Sequence, residues 1–273
     1  MSGGVRVTVL GAGTLLPNHR RRSPAHFVEG WGARWLLDCG SGALHGMDRF
    51  ECDWKSLSHL FLSHFHTDHV GDVAPLLWAL THGLPEGRDQ PLVILGPRGL
   101  REWFDALARA HGDFVRDPGF PLEWVELDAG DRWTDPGGHW ELCTHSARHT
   151  PEALSVRLDF RTSSLGLEGA IGYSGDTGPL PGLGPFFRGV DLLLCECTFP
   201  DPAPGLLHLS PRSVAELARQ AQPGCLILTH VGPELNLESL PDLLVHHGYT
   251  GLVEVGYDGK TCWLGKAERP PAN

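Results

Sequence analysis

The sequence predicts an α/β protein built as a layered sandwich, and three observations carry that expectation. Through the first half of the chain, strand-like segments alternate with amphipathic helical ones, the order that lays helices on a sheet. Apolar runs such as Leu92-Val93-Ile94-Leu95, and those within Asp191 to Cys195 and Cys225 to Thr229, have the pattern of strands buried on both faces. The 273 residues are 41% hydrophobic, enough for a sizeable core, and no repeat or low-complexity tract argues for two domains. The expected organisation is one domain over 1–266 and a C-terminal tail over 267–273.

Taken in order, Val5 to Leu10 alternates as a strand and runs into Gly11-Ala12-Gly13-Thr14, where two glycines permit a tight turn. The missing third glycine and helix argue against a dinucleotide fingerprint. Pro17 to Ser23 is a loop carrying Arg20, Arg21 and Arg22, either a solvated charge run or a patch for an anionic substrate. Ala25 to Glu29 and Arg34 to Asp38 read as a hairpin-like pair of strands, and Ala43 to Phe50 as a short helix. An apolar run to Leu62 precedes the helix-like stretch Val73 to Leu80. A Gly/Pro-rich connection, His82 to Gln90, leads to the strand Leu92 to Leu95. Arg98 to His111 is an amphipathic helix whose Leu100, Trp103, Phe104, Leu107 and Ala108 recur at helical spacing and read as core. Further strands are expected at Leu122 to Leu127, at Trp140 to His145, and at Ala153 to Phe160 and Ala170 to Tyr173 around a turn, Thr162 to Gly169. Ser210-Pro211 opens a helix, with Ser as N-cap and Pro at the first helical position. A helix around Leu237 to Val245 and strands at Leu252 to Val255 and Thr261 to Leu264 complete the chain.

The formal charge of −11 disfavours a protein that grips nucleic acid through its overall field, while leaving a local basic patch open. Seven cysteines, an odd number without a Cys-x-x-Cys pair and with Cys195 and Cys225 inside apolar runs, suit buried thiols in a reducing compartment. Val5 to Leu10 is too short for a signal peptide, and no segment approaches the ~20 apolar residues that span a bilayer. The expectation is a soluble, cytoplasmic protein without a membrane partner.

The chemistry concentrates in Ser63-His64-Phe65-His66-Thr67-Asp68-His69, which places four candidate metal ligands within residues 64–69. In an extended segment residues i and i+2 share a side, so His64 and His66 present two imidazoles to one ion. Asp68 and His69 fall in the turn beyond and can face a second ion. Neutral imidazole and carboxylate suit zinc, with iron or manganese as rarer occupants.

This His-x-His-x-Asp-His order resembles the signature of the metallo-β-lactamase superfamily. The resemblance implies a four-layer αββα sandwich and three more ligands downstream: a histidine, a bridging aspartate and a last histidine. His149, before Pro151, matches the first better than its competitor His145; Asp176 in Ser174-Gly175-Asp176-Thr177-Gly178 matches the second, and His230 after the strand Cys225 to Thr229 the third. The implied set is His64, His66 and His149 for one metal, Asp68, His69 and His230 for the other, with Asp176 between them. Two metals ~3.5–4 Å apart activate water as a nucleophile near neutral pH, which implies a hydrolase attacking through a metal-bridging hydroxide. The second histidine and the complete ligand set speak against an iron-dependent redox protein.

Within the superfamily the chain is most similar to the ribonuclease Z-like phosphodiesterases. Leu10-Gly11-Ala12-Gly13-Thr14, Leu37-Asp38-Cys39-Gly40, Tyr173 to Thr177, Cys195-Glu196-Cys197-Thr198-Phe199 and His208-Leu209-Ser210 carry the resemblance. It implies that Glu196 and His208 protonate the leaving oxygen, as a poor alkoxide leaving group requires, and that Asp68 is both ligand and orienting base. One departure bears on the substrate: the arm that commonly holds the transfer-RNA elbow in bacterial ribonuclease Z has no room between His149 and Asp176. The expectation is therefore a small anionic substrate, such as a cyclic phosphodiester or short nucleotide, with large RNA doubtful as a partner. Transfer-RNA 3′ processing, hydrolysis of a lactone, thioester or β-lactam, and an iron-dependent redox protein are the alternatives, and a homodimer is the expected assembly.

Overall fold

Alternation of small apolar and polar residues starts a sheet at the N-terminus. In the computed structural model, which describes residues 4–162 and 166–265, β1 (Gly4–Gly11), β2 (Ala25–Gly30) and β3 (Ala33–Leu37) form an antiparallel meander. Helix α1 (Ala43–Arg49) follows, then β4 (His59–Phe61), the short helix α2 (Thr67–Val70), α3 (Val73–His82), β5 (Leu92–Pro97), α4 (Leu100–His111) and β6 (Leu122–Leu127). The second sheet begins with β7 (Arg132–Thr134), β8 (Trp140–Ser146), β9 (Leu154–Thr162) and β10 (Gly166–Tyr173). It continues through α5 (Leu183–Phe186), β11 (Leu192–Glu196), α6 (Pro211–Ala221), β12 (Cys225–Thr229), α7 (Leu240–His246) and β13 (Val253–Val255). The last strand, β14 (Thr261–Gly265), returns to pair antiparallel with β1.

The sheets run β14-β1-β2-β3-β4-β5-β6 and β13-β12-β11-β10-β9-β8-β7. Strands β3 to β6 are parallel to one another, as are β10 to β13. Successive side chains of a strand point to opposite faces, and the continuous apolar runs therefore feed two cores at once. Val93 and Leu95 of β5 enter the layer between the sheets; Leu92 and Ile94 pack with Leu76, Leu80 and Phe104 of the helices outside. Leu192 and Leu194 of β11 meet Trp140 and Leu158 between the sheets, while Leu193 and Cys195 pack with Val214 and Leu244 of α6 and α7. Three stacked cores make four layers, the expected αββα sandwich. Helix α4 is amphipathic as its spacing predicts, with Leu100, Phe104 and Ala108 buried.

The differences from expectation are local. Strand β7 is a short edge whose Arg132-Trp133-Thr134 carries no apolar alternation to announce it. The turn expected over Thr162 to Gly169 is shorter, because β10 already pairs with β9 from Gly166. The tail expected over 267–273 lies outside the described residues. Among the described residues no helix is long and apolar enough to cross a membrane.

Candidate metal centre

The candidate ligands lie beyond the C-terminal ends of strands, in loops or, for Asp68 and His69, in the short helix α2, where side chains escape the ladder. Strand β4 stops at Phe61, so His64 and His66 sit in the link to α2; His66 is extended (φ −64°, ψ 144°) and precedes the helix carrying Asp68 and His69. His149 lies in the β8–β9 loop, Asp176 follows β10, and His230 follows β12. The link is held against Asp38, the residue after β3. Close backbone contact requires glycine there: a Cβ on Gly40 would stand 2.1 Å from the Asp68 carbonyl oxygen.

His64, His66 and His149 bring one nitrogen each to within 4.8 Å of one another, and Asp68, His69, Asp176 and His230 form a second such group. Asp176 lies between the two. Its Oδ1 is 3.2 Å from His69 Nε2, and its Oδ2 is 3.4 Å from His230 Nε2 and 3.8 Å from His149 Nε2. Asp68 Oδ2 is 3.4 Å from His230 Nε2. Three buried atoms at this centre, His64 Nε2, His69 Nε2 and Asp176 Oδ1, have no hydrogen-bond partner among the described residues. Buried polar atoms are almost always paired, and orphaned imidazole nitrogens facing a carboxylate are what divalent cations bind. The donor set of imidazoles and carboxylates fits zinc chemistry. The chain carries the candidate clusters of a di-metal centre. His145, the competitor of His149, is elsewhere: its Nδ1 bonds the Ser146 carbonyl and its ring lies on Phe186.

Electrostatics point the same way. Burial, aided by the neighbouring His69, holds the His64 pKa down at about 2, so the His64 ring is neutral. Burial also opposes an imidazolium at His69, but the carboxylates of Asp176 and Asp38 outweigh it and raise that pKa well above the ordinary value. Asp176 is held well below the carboxylate range: burial disfavours its charge, and His230 and His69 overcome that penalty. The cluster thus holds a proton at His69, on a ring for which a cation would compete.

Around the candidate ligands stand two buried carboxylates, Asp38 and Glu196, whose full roles the sequence does not disclose. Asp38 accepts from Ser63 N (2.7 Å), Ser63 Oγ (2.7 Å), His69 Nδ1 (2.6 Å) and Tyr173 Oη (2.6 Å). Because the Ser63 hydroxyl proton goes to Asp38, its oxygen is left to accept from His64 Nδ1 at 3.0 Å. Both imidazoles thereby turn Nε2 inward, the support that metal-binding histidines receive from an outer carboxylate. In the sequence Asp38 stands out only as part of Leu37-Asp38-Cys39-Gly40. Glu196 accepts from Thr177 N (2.6 Å), Leu209 N (3.0 Å), Thr198 Oγ1 (2.6 Å) and His208 Nδ1 (3.0 Å). His208 Nδ1 is 4.0 Å from Asp176 Oδ2, beside the ligand groups. Burial lowers the His208 pKa, but Glu196 and then Asp176 more than compensate and raise it.

Two clefts flank the centre. One, of about 590 Å³, lies between Asp68 and Asn18, Arg21 and Arg22 of the loop after β1. The other, of about 110 Å³, lies between Leu16, Phe199, His208 and His230. The three arginines divide in role: Arg22 pairs with Asp258 at 3.1 Å and Arg21 bonds the Gly256 carbonyl, tying the loop to the β13–β14 connection, while Arg20 is exposed.

Comparison with known proteins places the chain. The beta-lactamase superfamily domain matches residues 33–231. The ribonuclease Z of Mycobacterium sp. strain KMS is 30% identical over 258 residues, 85% of each chain. That of Mycobacterium avium strain 104 is 29% identical over 280 residues, 93% of this chain and 96% of its own. Among solved structures, the metallo-beta-lactamase fold protein YhfI from Bacillus subtilis superposes with a TM-score of 0.80 at 22% identity, over 95% of this chain and 99% of its own. Human tRNase Z, short form, gives 0.71 at 21%, over 94% and 98%. These relatives overturn the expectation that large RNA is a doubtful partner. That expectation treated net charge and a missing arm as evidence about the substrate. Net charge sums the whole surface, whereas phosphate contact is set by the cations and clefts at the site itself. The chain belongs to the metallo-β-lactamase superfamily, in its ribonuclease Z-like branch, and is a metal-dependent hydrolase.

Proposed function

We propose that the protein is a dinuclear phosphodiesterase that cleaves RNA, as an endonuclease of transfer-RNA 3′ processing. His64, His66 and His149 would hold one metal and Asp68, His69 and His230 the other, with Asp176 serving both; zinc is the ion this set favours. When bound, such a pair supplies Lewis acidity and a water of lowered pKa. The chain's own residues then account for the rest. Asp68, on the cleft side of the centre, orients the attacking water as an acceptor. Asp38 and Ser63 keep the His69 and His64 rings aligned.

The observation that carries the phosphodiester reading is the His208–Glu196 pair beside Asp176. A ribose oxygen leaves poorly unless protonated, and an imidazole with a raised pKa, held by a carboxylate through Nδ1, offers its Nε2 proton to that oxygen. RNA as the substrate rests on the ribonuclease Z relatives. The smaller cleft, about 110 Å³ between Leu16, Phe199, His208 and His230, favours a second reading, smaller or cyclic phosphodiesters.

The test is cleavage by zinc-reconstituted protein of a transfer-RNA precursor with a 3′ trailer, beside bis(p-nitrophenyl) phosphate, a 2′,3′-cyclic nucleotide and a p-nitrophenyl carboxylic ester. Release of the trailer at one position supports the proposal. Turnover of the small phosphodiesters with an intact precursor selects the second reading, and activity confined to the carboxylic ester refutes both.

A further inference from the structure

We infer that Thr198 is a positioning residue that joins the metal centre to the proton-donating pair through its single hydroxyl. The inference rests on the reading of His230 as a ligand and His208 as the donor. Thr198 follows β11, two residues after Glu196, and is 7% exposed. Its backbone is fixed from three sides. Its N–H donates to the Leu209 carbonyl beside His208, the preceding Cys197 N–H donates to Thr229 beside His230, and a Cβ on Gly232 would stand 1.9 Å from its carbonyl oxygen.

The hydroxyl oxygen lies 2.6 Å from Glu196 Oε2 and 2.8 Å from His230 Nδ1. A hydroxyl has one proton to give. The carboxylate at 2.6 Å is its best acceptor, ahead of the His230 carbonyl at 3.2 Å. The oxygen must then accept from His230 Nδ1–H, which leaves Nε2, turned toward Asp68 and Asp176, as the nitrogen a metal would take from the neutral ring. Glu196, on its other oxygen, accepts from His208 Nδ1, which leaves the His208 Nε2 proton for the leaving group. One carboxylate thus sets the tautomer of a ligand through Thr198 and the orientation of the donor directly. Without the hydroxyl, His230 Nδ1–H has no acceptor and its ring is free to present the wrong nitrogen; Glu196 loses one of the bonds that fix it toward His208.

The experiment compares wild type with Thr198→Val, which keeps shape and removes the hydroxyl, Thr198→Ser, which keeps the hydroxyl, and His230→Ala. Zinc affinity of the chelator-stripped proteins is measured by competition with a chromogenic chelator. Thr198→Val is expected to weaken one of two zinc equivalents roughly 10–100-fold, the range for loss of an outer partner, with Thr198→Ser close to wild type. Thr198→Val within twofold of wild type overturns the proposal, and so does a loss that Thr198→Ser does not recover. If His230→Ala retains both zinc equivalents at wild-type affinity, the ligand reading itself has failed; if it loses one and Thr198→Val does not, only the role of Thr198 has. A measurement independent of folding of the variants is the imidazole nitrogen resonances of isotope-labelled, zinc-loaded wild type. His230 protonated at Nδ1 is the expected result, and protonation at Nε2 overturns the proposal.

Discussion

Replacing Asp38 by Asn keeps the volume of the side chain and changes the sign of one of its ends. The carboxylate is fully buried and accepts four hydrogen bonds, three of them at Oδ2. An amide has one accepting oxygen. Its less damaging orientation turns that oxygen to Ser63 Oγ, His69 Nδ1 and Tyr173 Oη, and sets its NH2 against Ser63 N–H. That leaves a buried donor unpaired at about 1–3 kcal/mol and reduces three charge-assisted bonds to neutral ones at about 1 kcal/mol each, so a loss of about 4–6 kcal/mol in the metal-free chain is expected. The functional loss is separate: the His69 ring would be held by a weaker acceptor, and zinc affinity should fall roughly 10–100-fold. Urea unfolding with chelator present reads the first quantity, and chelator competition on folded protein reads the second. Zinc affinity within twofold of wild type would refute the claim that Asp38 supports the centre, whatever the stability change.

His208→Ala should retain its metals yet slow transfer-RNA or alkyl phosphodiester cleavage by roughly 10²–10⁴, while p-nitrophenyl leaving groups, which need no proton, are slowed far less; equal slowing of both classes, measured as kcat, removes the donor role. Metal binding must expel the proton held at His69 by Asp176 and Asp38, so zinc affinity should rise with pH as that proton is lost, with proton release visible by calorimetry in buffers of different ionisation enthalpy; binding without proton release would contradict the raised pKa. His26 is buried with neither ring nitrogen bonded among the described residues, and burial, with a smaller contribution from His69, holds its pKa at about 3 against 6.5 unfolded. The unfolded chain therefore takes up a proton that the folded chain refuses, and stability falls as pH drops from about 6.5 toward 3. By linkage, wild type should lose about 3 kcal/mol more than His26→Leu between pH 6.5 and pH 4 in metal-free urea titrations. Identical losses in the two proteins would show that His26 is not the acid-sensitive group.

Much of the fold, and the grouping of the candidate ligands, is legible in the amino-acid sequence. The apolar runs of β5, β11 and β12 announce strands buried on both sides because each supplies residues to two cores. The motif Ser63 to His69 announces a metal centre because so dense a ligand pattern has few other uses. What stays hidden has a common cause. Asp38, Tyr173 and Thr198 bind no metal in the proposed set; each acts on a side chain distant in sequence, and nothing in their spacing reveals the partner. Tyr173 Oη and Asp38 are separated by 135 positions. The misjudged RNA partner has another cause: an inference from what the chain lacks carries no information about what its clefts admit.

The two halves of the centre are built on one plan. In each sheet a parallel strand ends in a non-glycine residue with left-handed backbone, Asp38 after β3 (φ 56°) and His230 after β12 (φ 47°), a conformation that costs about 1–3 kcal/mol and persists only where surrounding structure enforces it. Each half contains a buried carboxylate that reaches one imidazole directly and another through a hydroxyl: Asp38 to His69 and, by Ser63, to His64; Glu196 to His208 and, by Thr198, to His230. The halves are joined by Tyr173, a β10 residue of the second sheet whose hydroxyl completes the carboxylate of the first. The first sheet alone therefore does not complete the carboxylate that orients its own histidines. The proposed ligands become a centre only when the sandwich is closed, which makes metal affinity a measure of sheet packing and explains why the chemistry sits at the edge where both sets of parallel strands end.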